Sequence, residues 1–124
     1  METVLIIEDD PSMLIGLKDN FAFKGYKVLT AADGEKGLDA ALNARPDLII
    51  LDVMMERADE GLEFAQQLLD EKIRIPVIIT SSIARAGQEL FDIDIPNVRA
   101  VMQKPVDFAE LTTMAEKIFA GQKS

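Results

Sequence analysis

The sequence predicts a single α/β domain built on a parallel sheet with helices on both faces. Two observations carry this expectation. Apolar runs of strand length alternate with stretches of helical periodicity, five times over along 124 residues. The central run, Asp47-Leu48-Ile49-Ile50-Leu51-Asp52, is too short for a helix and suits a strand buried on both faces. It ends on a carboxylate, and the carboxyl end of such strands is where open parallel sheets hold their ligands.

The elements follow in order. Val4-Leu5-Ile6-Ile7 is the first strand and ends on Glu8-Asp9-Asp10. Asp10 as N-cap and Pro11 at N1 open a helix in which Met13, Leu14, Leu17 and Phe21, with Ala22 as a further candidate, recur at helical spacing, and Gly25 stops it. Tyr26 to Thr30 reads as the second strand. The turn Ala31-Ala32-Asp33-Gly34 caps a helix with Leu38, Ala41 and Leu42 on its apolar face, and this helix ends over Asn43 to Pro46. After the central strand comes a loop from Met54 to Asp59. A helix follows, with Leu62, Phe64, Ala65, Leu68 and Leu69 as its buried positions. Ile75 to Thr80 is the fourth strand, with Pro76 at its start, where a missing N–H is tolerated. Ile83 to Phe91 is weakly helical and Asp92 to Pro96 irregular. Val98 to Met102 is the fifth strand, running into Gln103-Lys104-Pro105. Asp107 caps a last helix, with Leu111, Met114, Ala115, Ile118 and Phe119 inward. Residues 1–121 form the domain and 122–124 a polar tail. These patterns leave the strand order open between a Rossmann-like and a flavodoxin-like arrangement.

Composition excludes several chemistries. The chain has no Cys and no His, so disulfides, thiolate catalysis and the usual Ser-His-Asp hydrolases are out. The formal net charge is −9 and the 13 Lys and Arg are scattered, which argues against a nucleic-acid partner. No apolar run approaches the roughly 18 residues of a membrane span, and the N-terminus lacks a basic leader start, so a cytoplasmic protein without a membrane partner is expected. Glu8-Asp9-Asp10 stands where a dinucleotide fold would place its glycine-rich loop. An acidic turn there repels a pyrophosphate.

Polar groups gather at the strand ends instead: Glu8 and Asp9 after the first, Asp52 at the third, Thr80 and Ser81 at the fourth, Lys104 after the fifth. Clustered carboxylates repel one another, and a hard cation removes that penalty. Without His or Cys, Mg²⁺ suits the site better than Zn²⁺. A carboxylate is also a competent nucleophile toward phosphorus, given cations to neutralise the phosphoryl oxygens. Met54-Met55 are read as filler at the core edge, Arg85 and Arg99 as surface charges, and Phe21, Phe64 and Phe119 as core.

Four landmarks give the chain a resemblance, from end to end, to the receiver domain of two-component response regulators, of the CheY-like single-domain type. They are Ile6-Ile7-Glu8-Asp9-Asp10, Asp47 to Asp52, Pro76 to Ser82, and Lys104-Pro105, at the intervals found in that family. The resemblance implies a flavodoxin-like (βα)5 fold of strand order 2-1-3-4-5. It implies that Asp52 is the phosphoacceptor. Asp9 would ligate Mg²⁺ directly, Glu8 through water and Met54 through its backbone carbonyl. Ser81 would be the switch hydroxyl, with Thr80 as the alternative by a one-residue slip. Lys104 would contact the phosphoryl group, and the Lys104–Pro105 peptide would be cis. A sensor histidine kinase or phosphotransfer protein would donate the phosphoryl group. The switched face, formed by the Ile83–Phe91 helix, the fifth strand and the last helix, would bind a downstream protein effector. The protein would be a monomer or weak dimer, with no catalysis beyond its own phosphorylation and dephosphorylation.

The chain departs from the family at four places, one of them the usual Gly-Ala turn before the fifth strand, which Asp92 to Asn97 replaces. Glu56 replaces the usual Pro, Gly61 falls one residue later than usual, and Val101 replaces the usual Tyr or Phe three residues before the Lys. With Val101 there, loop and helix would carry the switch rather than a ring. The competing readings are a receiver-like scaffold that binds partners without phosphorylation, a haloacid-dehalogenase-type phosphatase and a flavodoxin-type electron carrier. The phosphatase needs an Asp-x-Asp spacing that Glu8-Asp9-Asp10 lacks, and the electron carrier needs a phosphate loop that is absent.

Overall fold

The computed structural model describes residues 2–53, 59–81 and 97–122. Its elements are β1 (Thr3–Ile7), α1 (Pro11–Phe23), β2 (Lys27–Ala31), α2 (Gly34–Ala44), β3 (Leu48–Val53), α3 (Asp59–Asp70), β4 (Val77–Ser81), β5 (Val98–Gln103) and α4 (Phe108–Gln122). The five strands form one sheet in the order β2-β1-β3-β4-β5, and every neighbouring pair is parallel. This is the flavodoxin-like order. The expected helix at Ile83–Phe91, the irregular Asp92–Pro96, and the Met54 loop as far as residue 58 lie outside the described residues. Asp59, expected in that loop, already begins α3.

The pleat sorts the apolar runs onto two faces. Val4, Ile6, Leu48, Ile50 and Ile78 pack with Leu17 and Phe21 of α1 and with Leu111, Ala115 and Phe119 of α4. Leu5, Ile7, Ile49, Leu51, Val77 and Ile79 pack with Ala41 of α2 and with Phe64 and Leu68 of α3. Both faces of the central strands are covered, which is why β1, β3 and β4 read as unbroken hydrophobic runs.

Local chemistry sets the helix ends. Asp10 Oδ1 accepts from the Ser12 N–H at 3.1 Å, with Pro11 in the first turn. Asp33 Oδ1 accepts from the Lys36 N–H at 2.8 Å. Asp107 Oδ1 accepts from the N–H groups of Ala109 (2.9 Å) and Glu110 (3.2 Å). Gly25 takes φ +94°, the left-handed turn that ends α1. Three expectations need correction. Ala22 is exposed, on the outer side of α1. Tyr26 precedes β2, and its ring packs on Phe119 and Phe21, at centroid distances of 5.2 and 6.0 Å. Ile75 and Pro76 precede β4, the Pro76 carbonyl accepting from the Ile49 N–H at 3.0 Å.

One close approach fixes α2 against the sheet. A Cβ on Gly37 would lie 2.3 Å from Ile7 Cδ1 and 2.7 Å from Ile7 Cγ1. Ile7 is buried in the core and has little room to move. Gly37→Val is therefore expected to lower unfolding stability by about 2 kcal/mol through overpacking. Gly34→Ala, where a Cβ meets nothing within 4 Å, is the matched control and is expected to be neutral or stabilising. Urea unfolding of the two variants checks this.

Candidate functional site

Parallel strands all end at the same edge, so the sheet itself assembles the polar residues. β1 ends at Ile7, and the Glu8 N–H continues the ladder by donating to the Ala31 carbonyl at 3.0 Å. That extension holds Glu8 in the protein, 2% exposed, while Asp9 reaches solvent. Asp52 is the next-to-last residue of β3, adjacent to β1, and its side chain is 4% exposed. Lys104 follows β5, two strands away. Its backbone N–H donates to the Ser81 carbonyl at 2.7 Å, tying the ends of β4 and β5 together. The Lys104–Pro105 peptide is cis. From there the long Lys104 stem reaches over β4. Its ammonium pairs with Asp52 Oδ1 and lies 3.5 Å from Glu8 Oε1.

Carboxylate oxygens of Glu8, Asp9 and Asp52 lie within 4.8 Å of one another. Among the described residues one cation, Lys104, pairs with these acids, and the imbalance shows in the proton equilibria. Burial pushes Glu8 up to about 8, reinforced by the hydrogen bond and the charge of Asp52, and Lys104 only partly opposes this. Burial acts to lower Lys104, but Asp52 and then Glu8 outweigh it and hold the ammonium above its ordinary value. Glu8 Oε2 is buried without a hydrogen-bond partner among the described residues. An all-oxygen donor set, crowded acids and an unsatisfied buried oxygen fit a hard divalent ion of the Mg²⁺ kind, which takes a few carboxylates and keeps its waters.

The other expected residues are placed as follows. Thr80 and Ser81 are both buried. Thr80 is level with Asp52 in the β3–β4 register, and Ser81 is level with Val53 at the open end of the strand. Thr80 therefore shares the strand parity of Asp52, whereas Ser81 adjoins the Lys104 backbone. Met54 lies outside the described residues. Asp10 serves as a helix cap. Val101 is half-buried and packs against the core on the α2/α3 face. The sequence reading missed the role of Asp47, whose Oδ2 accepts from the Thr3 N–H at 2.7 Å while its own N–H donates to the Thr3 carbonyl at 2.8 Å. That clamp sets the β1–β3 register, and with it the placement of Glu8 beside Asp52.

Comparison with known proteins bears on the family and the fold. The family described as "Response regulator receiver domain" matches residues 4–116. The alkaline phosphatase synthesis transcriptional regulatory protein PhoP of Bacillus subtilis is 38% identical over 89 residues, which are 72% of this chain and 35% of that protein. The response regulator MprA of a Mycobacterium species is 34% identical over 91 residues, 73% of this chain and 39% of that protein. The chain thus spans well under half the length of these curated relatives. Among solved structures, a CheY-like response regulator receiver domain protein from Methanospirillum hungatei superposes with a TM-score of 0.82 at 26% identity, covering 99% of this chain and 98% of that one. TrrA from Thermotoga maritima, solved in complex with Mg²⁺ and BeF, gives 0.80 at 25% identity over 95% of this chain and 99% of that one.

Proposed function

The chain belongs to the response regulator receiver family of two-component signalling, and we propose that within it Asp52 accepts a phosphoryl group in a Mg²⁺-dependent transfer. The observation that carries this reading is the Asp52 carboxylate itself. It is nearly buried at the strand end, held by the Lys104 ammonium and flanked by Glu8 and Asp9. A carboxylate so placed has one obvious partner for its charge already engaged and two acids beside it that need another.

Asp9, Asp52 and, through water, Glu8 would hold the ion. Bound there, Mg²⁺ supplies positive charge to the phosphoryl oxygens and relieves the repulsion among the acids. The donor is the phosphohistidine of a sensor kinase or a phosphotransfer protein. A carboxylate oxygen of Asp52 attacks phosphorus, the P–N bond breaks, and the imidazole leaves with the bonding pair and takes a proton from water. Lys104 turns its ammonium from the carboxylate to the phosphoryl oxygens, offsetting the charge that arrives.

The Lys104 N–H bond to the Ser81 carbonyl then gives the new charge a path to the backbone of β4. A shift there biases the face that includes β5 and α4, where a downstream protein binds. With Val101 small and packed on the core, backbone carries the change. The protein is read as cytoplasmic and as monomer or weak dimer, with no catalysis beyond its own phosphorylation and dephosphorylation. Among the described residues no helix is long and apolar enough to cross a membrane.

Beryllofluoride titration tests the reading. With Mg²⁺ present, the Ser81 and Lys104 amide resonances are expected to move in slow exchange, and without Mg²⁺ they are expected to stay. Unmoved resonances in both conditions would favour the phosphorylation-independent scaffold, the reading that Val101 supports.

The raised Glu8 makes a separate demand. Near neutral pH the metal-free site holds a proton that the ion must displace. Mg²⁺ affinity is therefore expected to rise from pH 6 toward about 8, the Glu8 value, and to level off above it. In Glu8→Gln that pH dependence is expected to flatten. Calorimetric titrations of both proteins across this range check the slope.

A further inference from the structure

A second polar site lies at the edge of the sheet opposite Asp52. A cleft of about 630 Å³ opens between the end of α3 and the starts of β4 and β5, lined by Leu69, Lys72, Arg74, Pro76, Asn97 and Arg99. Among the described residues half of this lining is cationic and none of it is acidic, in a chain of formal net charge −9. Lys72, Arg74 and Arg99 are exposed, and none of them forms an ion pair among the described residues. Of the two acids just before the turn, Asp70 accepts a hydrogen bond from Gln66 Nε2 at 3.1 Å, and the exposed Glu71 forms no ion pair among the described residues.

The backbone builds this cluster. Lys72 sits at φ +61°, a left-handed conformation unusual for a residue with a Cβ, and its N–H donates to the Leu69 carbonyl at 2.9 Å. That turn reverses the chain after α3 and brings Lys72 and Arg74 to the start of the sheet. From the other side, the Asn97 carbonyl accepts from the Val77 N–H at 2.7 Å, which fixes the β4–β5 join and sets Arg99 beside the cleft. Asn97 is 4% exposed, so the cleft has a buried amide in its wall. Leu69 and Pro76 add apolar surface.

We infer that this cleft binds a small organic phosphate, with the phosphate groups on Arg74, Arg99 and Lys72 and an apolar or aromatic body against Leu69 and Pro76. Three like charges lining one cleft, with no ion pair among the described residues, repel, and an anion relieves that repulsion. Paired guanidinium groups match the oxygens of a phosphate in a way that a lone ammonium does not. The cleft is too large for a single phosphate and falls within the range of about 300–1,000 Å³ typical of small-ligand pockets. The acidic site at the other edge repels the same ligand.

ADP, with adenosine as its uncharged counterpart, is the probe. It is titrated into the whole chain in EDTA, so that no metal carries it to the acidic edge, while amide resonances of Leu69 to Arg74 and Asn97 to Arg99 are followed. ADP is expected to shift these resonances saturably and adenosine is not. The double variant Arg74→Gln, Arg99→Gln is expected to weaken ADP at least about ten-fold. Lys18→Gln, Lys36→Gln, which removes the same charge at exposed positions elsewhere, is expected to change it less than about two-fold. Absence of saturable shifts at about 5 mM ADP, adenosine binding equal to ADP, or equal weakening in both double variants would overturn the inference.

Discussion

Asp52→Asn is expected to abolish phosphoryl uptake from acetyl phosphate while leaving the fold intact. Asn keeps the shape of the side chain but lacks the negative oxygen that attacks phosphorus. The fold should tolerate the change because Lys104 retains Glu8 Oε1 at 3.5 Å as a partner. The substitution also removes one of the three acids of the cluster, so Mg²⁺ is expected to bind about ten-fold more weakly. Glu8 should titrate closer to its ordinary value, because the hydrogen bond and charge of Asp52 are among the causes that raise it. Intact mass with acetyl phosphate, and calorimetry with Mg²⁺ alone, read these effects separately. A phosphoryl group still taken up by the variant would place the acceptor elsewhere.

Lys104→Met is expected to separate transfer from metal binding. Met preserves much of the stem and removes the ammonium that touches Asp52 Oδ1. Loss of a preorganised positive group at the place where charge develops typically costs about 10²-fold in rate, and the phosphorylation rate should fall by about that factor. Well above pH 8 Mg²⁺ affinity should move the other way, since no cation now competes for the Asp52 and Glu8 oxygens. Below that pH the gain should shrink, because Lys104 is one of the groups that lower Glu8 and its loss drives that carboxyl further up. Stopped-flow phosphorylation and Mg²⁺ calorimetry test the pair of effects. An unchanged rate, or an affinity that falls in parallel with the rate, would contradict the role given to the ammonium.

The parts of the fold governed by local chemistry were legible in the sequence. Val4–Ile7 showed a strand and Leu48–Leu51 one covered on both faces, and Asp10, Asp33, Gly25 and Asp107 marked helix ends within a few positions. What escaped depends on pairs far apart in the chain. Asp47 clamps Thr3, 44 residues away, and Asn20 Nδ2 donates to Thr112 Oγ1 at 2.8 Å, across 92 residues, joining α1 to α4. Thr112 is buried and donates in turn to the Phe108 carbonyl at 2.8 Å. No periodicity announces such bonds. Tyr26 was misread because a β-propensity pattern does not distinguish a ring in a strand from one sealing the core just before it.

The candidate site was legible in a different sense. Glu8, Asp9, Asp52 and Lys104 are each ordinary when read alone. Their intervals pointed to one place, and the parallel sheet is what makes those intervals converge. The protonation of Glu8 was not legible, because it follows from burial and from an Asp52 contact that exist only in the folded chain. Arg99, read as a surface charge, belongs to the basic cleft for the same reason: Lys72 and Arg74 join it only through the turn after α3 and the β4–β5 join.

Asp52 is proposed as a Mg²⁺-dependent phosphoacceptor. Intact mass of the protein after incubation with acetyl phosphate, with Mg²⁺ and with EDTA, tests it most directly. A gain of one phosphoryl group is expected with Mg²⁺ and none with EDTA, and peptide mapping after borohydride reduction should place the modified residue at Asp52. Uptake that is equal in EDTA, or that maps to another residue, would contradict it.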